Sequence, residues 1–222
     1  MCASAVNDQN LLELVQTWIP NPVYGDMLYE LRYTNSKDFG GVKFPTVLYI
    51  HHPVHYVVNT HHHFDHSGGL RTYVAQGATI VTHQANREYY EQVHFNPAPR
   101  TLQPDRFATF YPYFVGGRRP LPMETVNQKY VLSAGVRTID LYPVQGRNHA
   151  ATMLIAYFPK EKILVNADLY SPPAQGAPTP APNANMTTLQ QNIQRLKLDV
   201  AQHVPIYGQP GPMSQFTQIV GR

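Results

Sequence analysis

The segment His61-His62-His63-Phe64-Asp65-His66 limits what this chain can be more than any other stretch. It packs four histidines and one aspartate into six positions, directly after an apolar run at 54–58 and directly before Ser67-Gly68-Gly69. Residues two apart on an extended chain face the same side, so His61 and His63 aim their rings at one point. Asp65 and His66, past the strand end where the glycines release the backbone, aim at a second point close by. Imidazole and carboxylate are the ligands that zinc and its first-row neighbours prefer. A purification tag or a chance surface cluster does not sit between a strand and a Gly-Gly turn, so the residues favour a metal site.

A chain of 222 residues with 43% hydrophobic and 14% charged residues has enough apolar material for one sizeable domain and is too short for two full ones. The net charge is +3 and the pI about 8.9. No run of Lys or Arg is dense enough for a nucleic-acid footprint, so no nucleic-acid partner is expected. The single cysteine, Cys2, excludes an intrachain disulfide and argues against a thiolate metal site. The N-terminus lacks the basic start and apolar core of a signal peptide, and no segment has the ~18 apolar residues of a membrane span. The default expectation is a soluble cytoplasmic protein with no membrane partner, or an exported one if the chain is an N-terminally truncated form.

Along the chain, Leu11, Leu12, Leu14, Val15 and Ile19 predict a short amphipathic helix ending before Pro20. Strands are predicted at 27–34, 44–50 and 54–59, with His51, His52 and His55 as exposed linker residues. A helix over 70–75 and a buried strand over 78–82 then give α/β layering. A further helix is expected over 85–93, with His83 at its start and His94 at its end. Residues 95–125 carry many prolines and aromatics and show no helical or strand period. They read either as a lid over a site or as a segment whose rings pack onto the core. Strands follow at 130–133, 136–144, 153–158 and 163–166. His149 falls on a loop between two of them, and Asp168 just past the last, where a sheet presents side chains to a shared rim. The stretch 171–185 reads as an exposed connector, and Thr187 or Thr188 as the cap of the next helix. A short strand at 204–206, preceded by His203, and a last helix starting near Pro212 complete the chain.

The run Thr60 to Gly69, then His149, then Leu164-Val165-Asn166-Ala167-Asp168, resembles the metallo-β-lactamase-fold hydrolase superfamily, over 54–222. The resemblance implies an α/β fold, the αβ/βα four-layer sandwich, with metals at one edge of two facing sheets. It implies that His61, His63 and His149 hold a first metal, usually zinc, with manganese or iron as alternatives. Asp65 and His66 would hold a second, and Asp168 would bridge both. Three neutral imidazoles leave one tetrahedral position open for water, and such sites lower its pKa from 15.7 toward about 7. The implied activity is attack of the resulting hydroxide on a small ester, lactone, thioester, amide or phosphoester, with Asp65 orienting the nucleophile.

This sequence departs from the family pattern at two places. The family's final ligand is a His-Gly pair after a short strand, whereas here the position is Tyr207. A phenol with pKa near 10 binds zinc poorly until deprotonated, and His203 lies at the other end of the strand. A firm first site and a weakened second site are therefore expected, with Tyr207 a substitute ligand at most. The second departure is the short front. Residues 1–53 are expected to form an N-terminal segment partly outside the fold or incomplete for it, and a first sheet that lacks strands would favour a homo-oligomer. An active hydrolase on a small-molecule substrate leads. A degenerate homologue that binds metal without turnover is the alternative, and a nucleic-acid-processing hydrolase ranks last.

Overall fold

In the computed structural model, which describes residues 2–9, 11–21, 25–38, 40, 43–51, 54–95, 107–108, 120–146, 149–174 and 176–221, the first four strands pair in chain order. They are β1 (Cys2–Val6), β2 (Leu12–Asn21), β3 (Gly25–Asp38) and β4 (Lys43–His51), joined into one antiparallel sheet. The helix expected over 11–19 is therefore a strand. Its apolar residues do match a helical stripe, but Val15, Thr17, Trp18 and Ile19 are β-branched or aromatic and prefer a pleated backbone. Ladders on both edges decide the outcome, with Ser4 opposite Val15 on one side and Val15 opposite Leu31 on the other. Asn7 fixes the first turn by accepting hydrogen bonds from the backbone N–H groups of Gln9 and Leu11. The chain divides into Met1–Val54, which contains this sheet, and His55–Arg222.

The second unit is a four-layer sandwich. Its first sheet is parallel, in the order β5 (Tyr56–Val58), β6 (Thr79–His83), β7 (Met123–Val126). Its second sheet runs β13 (Gly211–Pro212), β12 (Gln202–Pro205), β11 (Ile163–Asn166), β10 (Leu154–Phe158), β9 (Arg137–Pro143), β8 (Tyr130–Ala134). Side chains alternate between layers as the strand period requires. Val81 and Val126 of the first sheet meet Leu141 and Leu154 of the second between the sheets. Ile80 and Met123 point the other way, onto Leu70 and Val74 of helix Leu70–Ala75 and onto Tyr90, Phe95 and Phe107. Ile155 and Tyr157 point outward from the second sheet, onto Leu189 and Ile193 of helix Ala184–Leu196 and Phe216 and Ile219 of helix Met213–Val220.

Several local expectations need correction. β7 begins at the end of the stretch 95–125 that shows no period, because a four-residue strand is too short to display one. Phe107 of the same stretch is fully buried in the core, so this ring packs down rather than roofing a site. Phe110, Tyr111, Tyr113 and Phe114 lie outside the described residues. Asn183, not Thr187 or Thr188, caps the long helix by accepting from the Met186 N–H, so the helix starts a turn earlier than expected. His203 sits within β12 rather than before it. Its ring is buried between Tyr170 and Phe216, on the helix side of the sheet.

His83 and His94 occupy the helix-start and helix-end places that the sequence assigns them. The segment between them winds through a 3-10 turn (Gln84–Asn86), one α turn (Arg87–Tyr89) and a π turn (Tyr90–His94). Among the described residues, no helix is long and apolar enough to cross a membrane.

Candidate metal centre

The histidine run leaves the end of β5 and is pinned from both sides. Asn59 continues the parallel ladder by donating its N–H to the Val81 carbonyl, and Leu154 of the facing sheet donates to the Thr60 carbonyl at 2.7 Å. The chain then turns into a single helical turn, Phe64–Ser67, which carries Asp65 and His66. Ser67 closes this turn by donating its N–H to the His63 carbonyl and its hydroxyl to the His62 carbonyl. At Gly68 an added Cβ would lie 3.0 Å from the Phe64 carbonyl oxygen. A side chain there would make the turn give by a few tenths of an ångström, so glycine suits the position.

His149 reaches the same place from the loop between β9 and β10, and Asp168 from the turn after β11. Asp168 holds a left-handed backbone, φ +58°, which is costly for a residue with a Cβ. Two asparagines support that conformation. Asn166 accepts the Tyr170 N–H through its side chain, and Asn185 donates to the Asp168 carbonyl at 3.0 Å. Asn166 stands in the run that carries the family resemblance, but the sequence does not show that either asparagine supports the Asp168 backbone. The signal was present in the polar residue that ends the buried strand β11.

The structure brings five of the expected residues to one point. The ligand atoms of His61, His63 and His149 lie within 4.8 Å of one another, and so do those of His61, His66 and Asp168. A single oxygen, Asp168 Oδ2, stands 3.3 Å from His61 Nε2, 2.9 Å from His66 Nε2 and 3.2 Å from His149 Nε2. All three nitrogens are buried without a hydrogen-bond partner. Buried polar atoms without partners are rare and call for an explanation such as a bound ion. Burial, and then the neighbouring His66, His63, His149 and His62, pushes the His61 pKa down to about 3. The ring is thus a neutral donor at ordinary pH, the form that binds metal. Nitrogen and carboxylate donors at this spacing fit a divalent first-row ion.

Asp65 belongs to neither group of converging atoms. Its Oδ2 lies 3.3 Å from His66 Nε2, but the same oxygen accepts a 2.6 Å hydrogen bond from the Tyr207 hydroxyl. That bond lowers the Asp65 pKa and raises that of Tyr207 to about 12. The Tyr207 ring meets His66 edge-on, 5.4 Å between centroids, so the residue stands where the family's last ligand is expected while its oxygen is engaged with Asp65. His62, between the converging rings, turns to the Thr152 hydroxyl instead. His55 is exposed, and the side chains of His51 and His52 lie outside the described residues.

Among solved structures, the chain is similar to a metallo-beta-lactamase from Pontibacter korlensis, at 18% identity over 94% of this chain and 98% of that one, with a TM-score of 0.51. It is similar to the rubredoxin oxygen:oxidoreductase of Desulfovibrio gigas, at 14% identity over 99% of this chain and 60% of that one, with a TM-score of 0.54. It is also similar to a flavodiiron protein from Giardia intestinalis, at 15% identity over 75% of this chain and 41% of that one, with a TM-score of 0.50. Identities this low speak for a shared fold alone. No curated protein matches the chain. The sequence model of the metallo-beta-lactamase superfamily matches residues 52–202, more than half of the chain and all of the converging histidines and Asp168, and the chain belongs to that superfamily.

Proposed function

We propose that this chain is a metal-dependent hydrolase of a small ester, lactone, thioester or amide, with zinc as its metal. The observation that carries this reading is the convergence of the ligand atoms of His61, His63 and His149, and of His61, His66 and Asp168, each set within 4.8 Å. His61, His63 and His149 would hold the ion firmly, with Asp168 beside it. A divalent ion held there would supply Lewis acidity and would lower the pKa of water bound to it from 15.7 toward about 7.

The remaining roles fall to side chains at the mouth. Asp65 is a carboxylate at neutral pH with or without the Tyr207 hydrogen bond and can orient a water as an acceptor, while that bond lowers its pKa and so weakens it as a base. Tyr207 stays a neutral donor. Phe64 is 84% exposed and Ile206 and Tyr207 are both about half exposed, so apolar surface flanks the histidines. That composition suits a substrate with an apolar substituent. A nucleic-acid substrate is not proposed, because the sequence carries no dense run of Lys or Arg.

A second reading, metal binding without turnover, is favoured by one feature. Tyr207 occupies Asp65, so a second metal would have to compete for that carboxylate. The likeness to the Giardia flavodiiron protein makes iron a metal worth loading beside zinc and manganese. The test is a panel of chromogenic esters, lactones, thioesters and cephalosporins against the full chain loaded with each metal in turn. Turnover with zinc that disappears in His63→Ala supports the hydrolase. Turnover confined to Tyr207→His selects binding without turnover, and a chain that retains no metal refutes both.

A further inference from the structure

The histidine run is held by a buried polar network that none of the converging residues explains. Asn59 is 1% exposed and uses its whole side-chain hydrogen-bonding capacity. Its amide nitrogen donates to the carbonyl of His61 at 2.8 Å and to that of His66 at 3.2 Å. Its amide oxygen accepts from the Tyr90 hydroxyl at 2.6 Å and from the Thr82 hydroxyl at 3.0 Å, and Asn86 in turn donates to the Thr82 oxygen. Carbonyls only accept, so the orientation of the amide is fixed by its partners. The two carbonyls belong to residues at the two ends of the run, and one side chain ties both to the body of the domain.

We infer that Asn59, oriented by Tyr90 and Thr82, is the positioning residue of the metal-ligand loop. This rests on the metal reading above. Three features separate the network from ordinary core packing. It spends polar groups where β6 could carry apolar ones, and such networks are favourable only when every member is satisfied. It bonds the ligands' own backbone rather than distant elements. Its outer member, Tyr90, sits at the start of a π turn in which the Phe95 N–H bonds the Tyr90 carbonyl, and π turns concentrate at functional sites. Burial pushes the Tyr90 phenol well above its usual range, so it stays a neutral donor. Groups that orient metal ligands from behind typically alter affinity by about 10–100-fold when removed.

The test uses the full chain and two variants. Tyr90→Phe removes one hydroxyl and leaves the ring. Asn59→Asp keeps the shape but puts a carboxylate oxygen against the His61 and His66 carbonyls. Zinc affinity is measured by chelator competition, the cobalt-loaded form by its d–d absorption, and the fold of the metal-free chain by circular dichroism. The expected result is a Tyr90→Phe chain folded like the parent, with zinc bound about tenfold more weakly and a shifted cobalt spectrum. Asn59→Asp is expected to lose more, and if it fails to fold, Tyr90→Phe decides. A Tyr90→Phe chain with the parent's affinity and spectrum would overturn the inference while leaving the metal reading intact. A parent chain that binds no zinc would overturn the metal reading first.

Discussion

The Tyr207 hydroxyl and the Asp65 carboxylate, 142 positions apart in sequence, are joined by a 2.6 Å hydrogen bond at the mouth of the histidine cluster. The bond commits Asp65 to a neutral donor and leaves His61, His66 and Asp168 as the converging set on that side. Under the proposed function, it is a physical reason for expecting one strong and one weak metal position. Tyrosine in place of a histidine removes a donor nitrogen and also engages a neighbouring carboxylate.

Replacing Tyr207 by histidine is expected to release Asp65 and supply the missing nitrogen. Metal analysis after dialysis should then rise from about one retained equivalent per chain toward two. Tyr207→Phe releases Asp65 without adding a ligand, and should leave the tightly held metal near one equivalent. Equal values for Tyr207→His and the parent would detach the weak second position from Tyr207.

At Asp168, charge and backbone conformation separate by mutation. Asparagine tolerates the left-handed region, so Asp168→Asn should keep the fold while metal affinity drops tenfold or more, roughly 1.4 kcal/mol per decade. Asp168→Ala should add a backbone penalty of about 1 kcal/mol to the same loss of affinity. Denaturant midpoints of the two metal-free variants check the difference, with Asp168→Ala the less stable.

His203 carries an acid sensitivity of its own. Burial between Tyr170 and Phe216 brings its pKa from 6.5 down to about 4, so the folded chain resists protonation that the unfolded chain accepts. Its neutral form is fully compatible with the fold above about pH 6.5, and stability is lost as pH falls from there toward 4. The loss is at most roughly 3 kcal/mol. Denaturation of the metal-free chain at several pH values should show a shallower acid slope for His203→Leu than for the parent. Parallel slopes would place the titration elsewhere.

Chelation should lower thermal stability as well as empty the centre. A ligand present at 100 times its dissociation constant stabilises the folded state by about 2.7 kcal/mol, which for a chain of this size is roughly 5–10 °C in Tm. Scanning calorimetry with zinc and with chelator checks this, and His63→Ala should show little difference between the two conditions.

How much was legible in the sequence follows from the range of each interaction. The run His61 to His66 was readable because its spacing, strand and turn are local. Its helical and strand neighbours over 70–83 were readable for the same reason. The strand pattern places His149 and Asp168 at a shared rim, their ligand roles come from a family resemblance, and the fold brings them to His61 and His66. The strand over 12–21 was misread because Leu12, Val15 and Ile19 satisfy a helical stripe as well, and only pairing on both edges decides. Asn59 was passed over because its role depends on Tyr90, 31 positions away. The engagement of Tyr207 with Asp65 was beyond reach, since a sequence shows which residue stands at a position and not which acceptor its hydroxyl finds.

The most direct measurement is the metal content of the full chain after dialysis against metal-free buffer, set beside that of His63→Ala. The expected result is about one tightly held equivalent per chain, zinc when zinc is supplied, and its loss in His63→Ala. A parent chain that emerges metal-free, or a His63→Ala chain that retains as much metal as the parent, would contradict a metal centre built on His61, His63 and His149.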